Sequence, residues 1–222
     1  MKKFLAILMS TMILFSLSAC GSNTGKEAGD STKPKTTADE KQNTATYERG
    51  TIEDNVWQSE FFNMKYTASD DMSYRTDDEL YEMMKVGMDQ LTIDEKTGKK
   101  MVDAAKVAVI YEMMATNDTT GSNVIVAYEK LKTSSVTEEK YITAFKAQLP
   151  SMGINADFED IAEVEIAGQK FTQLKYSYTT SGMNISQALL LKKYDDHMLE
   201  ITLTLTTDAA YDDLLAGFSK LK

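Results

Sequence analysis

Hydrophobic and polar positions divide the chain into three parts. The first is a short apolar run over residues 4–17, which follows two lysines. The second part, residues 21–46, contains no large apolar side chain and is rich in Ser, Thr, Gly, Lys, Asp and Glu. In the third part, residues 47–222, apolar side chains recur with the periods of strands and helices. This third part is therefore expected to fold around a hydrophobic core.

Alternation of apolar and polar residues predicts a series of strands in the third part. The predicted strands are 56–58, 61–66, 107–115, 123–131, 158–166, 170–178, 185–194 and 198–206. In 123–131, Val124, Val126 and Tyr128 are expected to share one face. The alternation is clearest in 198–206, where Leu203 is expected to face a C-terminal helix. Its neighbour Thr204 is expected to lie on the other, more accessible face.

Segments with helical spacing of apolar residues predict three helices. The first follows a capping box of Thr76 and Glu79, and its apolar stripe consists of Leu80, Met83, Met84, Gly87, Met88 and Leu91. The second follows a similar box at Ser135 and Glu138, carries Tyr141, Phe145, Leu149 and Met152, and ends near Pro150. The third is expected to be capped by Asp208 and to present Tyr211, Leu214, Leu215, Phe218 and Leu221. A short helix is also expected near 101–105.

The order of these elements indicates the fold class. Short turns such as Asn117–Gly121 and Ala167-Gly168 separate consecutive strands, which favours antiparallel pairing. We therefore expect an α+β protein, an α/β/α sandwich with a mostly antiparallel sheet of about six to eight strands and helices packed on it.

The beginning of the chain resembles the leader of a bacterial lipoprotein. Lys2 and Lys3 precede an apolar run that is short for a membrane span and typical of an export signal. The segment Leu17-Ser18-Ala19-Cys20 resembles the lipobox, and Cys20 is the single cysteine of the chain. The resemblance implies that residues 1–19 are a cleaved signal peptide. It further implies that Cys20 carries diacylglycerol and palmitate on the outer face of the cell membrane. The alternatives are an ordinary signal peptide with a chance cysteine, or an N-terminal anchor helix.

Composition assigns roles to the other two parts. Residues 20–46 comprise the acylated cysteine and a polar segment that cannot bury enough apolar surface to fold, so a flexible tether is expected. Residues 47–222 form a single globular domain of ordinary size that must fold without a disulfide. The whole chain has a formal net charge of −10. This acidic balance argues against nucleic acid as a partner and against adsorption of the domain to an anionic membrane.

The sequence offers few residues for catalysis or metal binding. The single histidine, His197, follows Asp195-Asp196 and fits a turn better than a nucleophilic triad. One histidine and one acylated cysteine cannot build a zinc site, and neither Gly98 nor Gly121 sits in a calcium-loop pattern. The segment Gly98-Lys99-Lys100 lacks the first glycine of a phosphate loop. We therefore expect no catalytic residues, no cofactor and no metal. Paired carboxylates are possible in any chain with 34 acidic residues, and nothing singles out one pair.

The domain as a whole resembles the PsbP-like domain, named after the extrinsic P subunit of photosystem II, and in particular lipoproteins of Gram-positive bacteria that carry it. The matching segments are 56–66, 76–91, the hairpin that ends at 123–126, and the helix of Tyr141 followed by 165–171. The chain departs from the family's Pro-x-Gly-Trp-like turn at 68–74, where Tyr74 takes the aromatic position. The resemblance implies an extracytoplasmic location and a role in binding or assembly, without an active site.

Three functions are compatible with these features. The first is a membrane-anchored binding or scaffolding module for an envelope protein or a small-molecule ligand. The second is a carrier of a small apolar molecule or lipid, with the methionine-rich helix 80–91 lining a cavity. The third is an unrecognised hydrolase. A flat exposed apolar patch would favour the module, an enclosed apolar pocket the carrier, and a cleft with two converging carboxylates the hydrolase.

Overall fold

The computed structural model describes residues 46–88, 109–180, 182–206 and 209–222. The helices in these ranges are α1 (Asp77–Met88), α2 (Glu138–Gln148) and α3 (Ala209–Ala216). The strands are β1 (Thr51–Glu53), β2 (Val56–Ser59), β3 (Met64–Thr67), β4 (Ser73–Tyr74), β5 (Val109–Thr116), β6 (Asn123–Lys130), β7 (Ala156–Phe158), β8 (Ala162–Ile166), β9 (Gln169–Thr180), β10 (Met183–Tyr194), β11 (His197–Leu205) and β12 (Phe218–Lys220). None of the helices in these ranges combines the length and apolar character that a membrane crossing requires.

The larger of two sheets forms the centre of the molecule. Seven of its eight strands follow the order β4-β5-β6-β11-β10-β9-β7. The eighth strand, β8, also pairs with β9. All of these pairs are antiparallel. The expected α+β class with a mostly antiparallel sheet and packed helices is therefore confirmed.

Alternation along the central strands separates two core clusters, one on each face of the large sheet. The first core cluster includes Ile125 and Ala127 of β6 and is covered by α1 and α2. The second core cluster lies on the opposite face, beneath the small sheet and α3. It contains Val124, Val126 and Tyr128, which confirms the face predicted for these residues.

The second, four-stranded sheet follows the order β1-β2-β3-β12 and was not predicted as a separate layer. The expected single helix through Phe218 and Leu221 is wrong, because α3 ends at Ala216 and Phe218 begins strand β12, which pairs with β3. Gly217 permits this change of direction. A Cβ atom there would lie 2.4 Å from the ring of Tyr66, and the Gly217 carbonyl accepts a 2.9 Å bond from Thr67 N–H.

Strand β11 has the predicted facing but not the predicted exposure. Leu203 is fully buried in the second core cluster together with Leu214 and Phe218, as expected. The expectation that Thr204 is accessible is wrong, because only 1% of it is exposed. Its hydroxyl accepts a 3.0 Å hydrogen bond from Gln187 Nε2. Both faces of this strand are covered, so alternation distinguishes two interiors there rather than an inside and an outside.

The helix termini agree only partly with the predicted capping boxes. The box at α1 is confirmed, since Thr76 N–H donates to Glu79 Oε2 at 2.9 Å and Glu79 N–H donates to Thr76 Oγ1 at 3.3 Å. The prediction of a capping box at Ser135 is wrong. The N-cap of α2 is Thr137, which has an extended backbone and accepts from Lys140 N–H at 3.3 Å. Residues 91, 101–105 and Asp208, to which other predictions refer, lie outside the described residues.

Candidate ligand groove

A large groove lies at one end of the sandwich. There the turn that joins β2 and β3 meets the tips of two hairpins of the large sheet. The groove has a volume of about 960 Å³ and is open to solvent. Its walls come from Phe61–Asn63, from the β8–β9 turn at Ala167-Gly168, and from the β10–β11 hairpin at Tyr194–His197. Three separate chain segments therefore converge on one surface.

Local backbone conformation explains why these segments project into the groove. Ala167 and Gly168 both have positive φ angles, 51° and 76°, which gives the tight hairpin turn predicted from their sequence. Asp195 at the other hairpin and Asn63 in the first turn also have positive φ angles, of 48° and 49°. Short polar side chains tolerate this conformation better than bulky ones.

The floor of the groove belongs to an aromatic cluster, formed by Tyr47, Phe61, Phe62, Tyr128, Tyr194 and His197, of which all but Tyr47 line the groove. Phe62 and Tyr128 are buried, and the other four rings are half-buried. The Phe61 and Tyr194 ring centroids lie 5.9 Å apart, and His197 stacks on Tyr128 at 4.6 Å. The cluster thus combines buried rings with rings that are partly exposed.

Gln169 fixes the relative position of the two sheets beneath this floor. Its Nε2 donates to the Phe62 carbonyl at 2.7 Å, and its Oε1 accepts from the Tyr194 hydroxyl at 2.9 Å. The amide therefore connects the small-sheet turn to the tip of β10. A side chain with one donor group and one acceptor group is required for this bridge.

Charged side chains form the rim. Four lysines border the groove, Lys170, Lys192, Lys193 and Lys220, together with three acids, Glu165, Asp195 and Asp196. The rim thus carries an excess of positive charge on a chain whose net charge is −10.

Most of the rim charges have partners within the domain. Lys193 Nζ donates to the Ser134 carbonyl, and Lys192 Nζ lies 5.8 Å from the ring centroid of Tyr194. Lys170 forms a 2.8 Å ion pair with Glu163, which also lies on the surface. Among the described residues, Lys220 makes no ion pair. Asp196 Oδ1 lies 2.7 Å from His197 Nδ1, and this hydrogen bond lowers the pKa of the Asp196 carboxyl. Asp196 is therefore an ionised acceptor at the groove.

Tyr47, near the start of the described residues, lies directly beside the groove. Tyr47 stacks on Tyr128 with ring centroids 4.8 Å apart, and its hydroxyl donates to Glu112 Oε1 at 2.5 Å. The other oxygen of this buried carboxyl accepts from Gly50 N–H at 2.8 Å. Burial raises the pKa of Glu112 despite these hydrogen bonds. A segment that precedes Tyr47 must therefore emerge next to the aromatic cluster.

A second, smaller groove of about 400 Å³ lies beside α1. Its wall includes Leu80, Met114 and two arginines. Arg49 pairs with Asp77 at 2.7 Å, and Arg75 pairs with Asp118. The Arg49 hydrogen bond lowers the pKa of Asp77. Both guanidinium groups are thus occupied by carboxylates of the same chain.

Two carboxyl groups do converge, but inside the first core cluster rather than at a groove. Glu129 of β6 and Glu200 of β11 are buried, and the Tyr141 hydroxyl of α2 contacts both of them, with 2.5 Å to Glu200 Oε1. Burial raises the pKa of each carboxyl, and for Glu200 the nearby charge of Glu129 adds to this effect. Neither residue borders either groove.

The sequence-predicted site residues fall in different places. His197 lies at the first position of β11 and belongs to the aromatic cluster, whereas Cys20 lies outside the described residues. No group of three potential metal ligands occurs in the described ranges. Sequence reasoning did not single out the groove. Its only local signal is the adjacent pair Phe61-Phe62, because Tyr128 and Tyr194 come from distant strands.

Comparison with known proteins gives structural likenesses only, including the following two. No protein-family model matches the chain, and no curated protein matches it either. The solution structure of cyanobacterial PsbP (CyanoP) from Synechocystis sp. PCC 6803 is similar with a TM-score of 0.46 and 8% identity, over 74% of this chain and 91% of that chain. The crystal structure of LpqN, involved in cell envelope biogenesis of Mycobacterium tuberculosis, is similar with a TM-score of 0.40 and 11% identity. This second likeness covers 70% of this chain and 82% of LpqN. At these scores, neither likeness establishes a family or a function for this chain.

Proposed function

We propose that this chain is a lipid-anchored extracytoplasmic binding module, and that the aromatic groove is its binding site. The observation that carries the proposal is the groove itself, where half-buried aromatic rings and charged side chains from separate chain segments meet at solvent. Binding sites combine apolar surface with a few placed polar groups in this manner. The anchor is the diacylglycerol and palmitate expected on Cys20. The PsbP-like and lipoprotein assignments from the sequence are part of this proposal.

The position of Tyr47 connects the anchor to the groove. A tether of residues 20–46 that ends at Tyr47 joins the domain beside the aromatic cluster, not at its far end. A flexible chain of this length has a root-mean-square span of about 30 Å. The groove would therefore stay near the membrane surface and close to components of the inner envelope.

The two other functions considered from the sequence receive less support from the described residues. A carrier requires an enclosed apolar cavity beside the methionine-rich helix, but the groove at Leu80 is open and has Arg49 and Arg75 on its wall. A hydrolase requires carboxylates that converge on a cleft, whereas Glu129 and Glu200 converge beneath Tyr141. A non-catalytic binding role is therefore the proposal that these residues favour.

The anchor is tested by growing cells that express the full chain with an alkyne-bearing palmitate and by detecting the label on the protein. We expect label on the chain with the original sequence and none on the Cys20→Ser variant. Since two acyl chains are needed for stable attachment, Cys20→Ser should either leave the detergent-rich phase on phase separation or retain its uncleaved signal segment. Continued labelling of Cys20→Ser would contradict the lipoprotein assignment.

The binding site is tested by co-sedimentation of the lipidated protein, in detergent, with isolated envelope fractions of the producing cell. Phe61→Leu removes a half-buried ring from the groove, and Phe158→Leu removes a half-buried ring that packs on the first core cluster. We expect Phe61→Leu to weaken sedimentation at least tenfold and Phe158→Leu to leave it unchanged. Equal sedimentation of both variants and the unmodified chain would show that the groove is not the binding site.

A further inference from the structure

We infer that residues 47–50, which we call the strap, are an intramolecular ligand of a site beside the groove, and that a tyrosine-bearing segment of a protein partner can replace them there. Glu48 and Arg49 of the strap are exposed, whereas Tyr47 and Gly50 are half-buried and face the domain. The inference goes beyond the proposed function, because it concerns a second site and depends neither on the lipid anchor nor on the occupant of the groove.

A buried carboxyl group forms the polar half of the site. Glu112 is only 1% exposed, and its two oxygens accept from the Tyr47 hydroxyl at 2.5 Å and from Gly50 N–H at 2.8 Å. The register of β5 against β6 shifts between Tyr111 and Met113, so Glu112 lies in a β-bulge. A bulge redirects a side chain at the expense of regular pairing. Here the bulge places a buried carboxyl group where the strap supplies its hydrogen-bond donors.

Tyr128 forms the aromatic half of the site. The Tyr47 ring stacks on it with centroids 4.8 Å apart at an interplanar angle of 25°, and His197 also stacks on it, at 4.6 Å and 13°. Strand β6, which carries Tyr128, lies between β5 and β11. The Tyr128 ring therefore lies between Tyr47 on the β5 side and His197 on the β11 side. The site accommodates one further aromatic ring, which in this chain is that of Tyr47.

The strap specifies what a ligand of this site must carry. Contact with both Tyr128 and Glu112 requires an aromatic ring with a hydroxyl donor, because a phenyl ring would leave one buried oxygen without its partner. A backbone N–H is required three positions later, at Gly50. A Cβ atom there would lie 2.4 Å from Trp57 Nε1 and 2.7 Å from the Gln58 carbonyl oxygen, so this position must be glycine. The site thus recognises the pattern Tyr-x-x-Gly.

The other contact of the strap does not fix it permanently. Arg49 donates to both oxygens of Asp77, at 2.8 Å and 2.7 Å, but the two side chains are 42% and 55% exposed. Exposed ion pairs contribute little to stability. A short segment with so few contacts opens more readily than a core strand. Opening leaves Glu112 without both donors, at a cost in free energy, and this favours capture of a segment that brings the same groups.

The site is tested by emptying it and adding the strap as a separate peptide. In the full chain, the double variant Tyr47→Ala/Gly50→Ala removes the ring and adds a Cβ atom that overlaps Trp57, so the strap leaves the site. The probe is a dye-labelled peptide with the sequence of residues 46–50, and its binding is followed by fluorescence anisotropy. We expect it to bind the double variant at least tenfold more tightly than the original chain, where the strap competes at a high effective concentration.

Variant peptides and matched protein variants locate the contacts. A peptide with Phe in place of Tyr should bind the double variant about tenfold more weakly, because it lacks the hydrogen bond to Glu112. Addition of Glu112→Gln to the double variant should weaken the original peptide by a similar factor, since an amide has one acceptor oxygen instead of two. The control is Glu139→Gln, at an exposed position of α2, which should leave binding unchanged.

Circular dichroism checks that each protein is folded. Should the double variant not fold, the single variant Tyr47→Ala permits the same comparison at the aromatic half of the site. The probes are then N-acetyltyrosinamide and N-acetylphenylalaninamide, and only the first should bind measurably.

Three results would overturn the inference. Equal binding of the peptide to the original chain and to the double variant would place the peptide at another surface. Absence of binding to a folded double variant would show that the strap is a fixed part of the domain. Equal binding of the Tyr and Phe peptides would show that Glu112 does not select a hydroxyl group. The sedimentation test of the groove does not use these variants, so its outcome is separate.

Discussion

Replacing Glu200 with Gln should change how the stability of this protein depends on pH. Glu129 and Glu200 lie two positions apart across the β6–β11 pair, on the same face, and both contact the Tyr141 hydroxyl. One phenolic proton can serve only one carboxylate at a time. The hydrogen bond between the Tyr141 hydroxyl and the other carboxyl group therefore requires a proton on that carboxyl group. In agreement, burial raises the pKa of both Glu129 and Glu200.

The sign of the effect follows from proton linkage. A carboxyl whose pKa is raised by folding binds more protons in the folded state than in the unfolded chain, where its ordinary value is 4.5. The free energy of unfolding is then highest below that value and falls as the pH rises toward the folded pKa. For each proton that the folded state retains and the unfolded chain has released, the slope is about −1.4 kcal/mol per pH unit.

Other titratable groups do not obscure the pH range in which the buried pair lowers the free energy of unfolding. The pKa values of Asp77 and Asp196 are lowered by Arg49 and His197, so their contributions are lost only as the pH falls through the acidic range. The pKa of Glu112 is raised by burial and adds a falling slope of its own. The slope due to Glu112 is the same in the original chain and in Glu200→Gln. The difference in slope between these two proteins therefore reports the buried pair of Glu129 and Glu200.

Urea denaturation at a series of pH values, followed by the fluorescence of the single tryptophan, measures this slope. Trp57 is fully buried, so its environment changes on unfolding. We expect Glu200→Gln to flatten the slope and to be the more stable protein at pH 8, since the amide can accept from Tyr141 and donate to Glu129 without a charge. The control Glu139→Gln, on the exposed side of α2, should keep the original slope. An unchanged slope in Glu200→Gln would refute the shared-proton interpretation.

Three further predictions concern the packing and the domain boundary. Leu203→Ala should lower the free energy of unfolding by about 2–5 kcal/mol and Thr204→Ala by about 1–3 kcal/mol, because the first leaves a cavity and the second an unpaired amide. Chemical denaturation measures both, and a cost near zero for Thr204→Ala would contradict its buried hydrogen bond. Gly217→Ala should cost about 1–3 kcal/mol, since its Cβ would overlap the Tyr66 ring; unchanged stability would mean that the ring can move aside. Limited proteolysis should cut within 21–46 before it cuts the domain, and protection of that segment would argue against a tether.

Sequence periodicity predicted which face of a strand a residue occupies, but not what covers that face. Thr204 illustrates this limit, because alternation correctly placed it opposite Leu203, but the accessible face predicted for it is covered by another layer. The polar partner that makes its burial tolerable, Gln187, comes from β10 and cannot be identified from local sequence.

The stripe of Leu214, Leu215 and Phe218 illustrates a second limit. These residues suit one helix, yet Gly217 ends α3 because the backbone must approach Tyr66 closely. That approach is a tertiary requirement and has no signature in helical spacing. The groove was missed for the same reason. Its rings come from segments as distant as Phe61 and Tyr194, and only the fold brings them together.

The small sheet combines segments from opposite ends of the described chain. Strands β2 and β3 lie near its beginning, whereas β12 lies near its end, and Lys222 N–H donates to the side chain of Asn63, 159 positions earlier. Pairing over such a sequence separation is slow, because the loop must close before the contacts form. During synthesis, Tyr66 would lack its contact with Phe218 until β12 had emerged. We therefore expect this domain to complete its folding only after β12 has been synthesised.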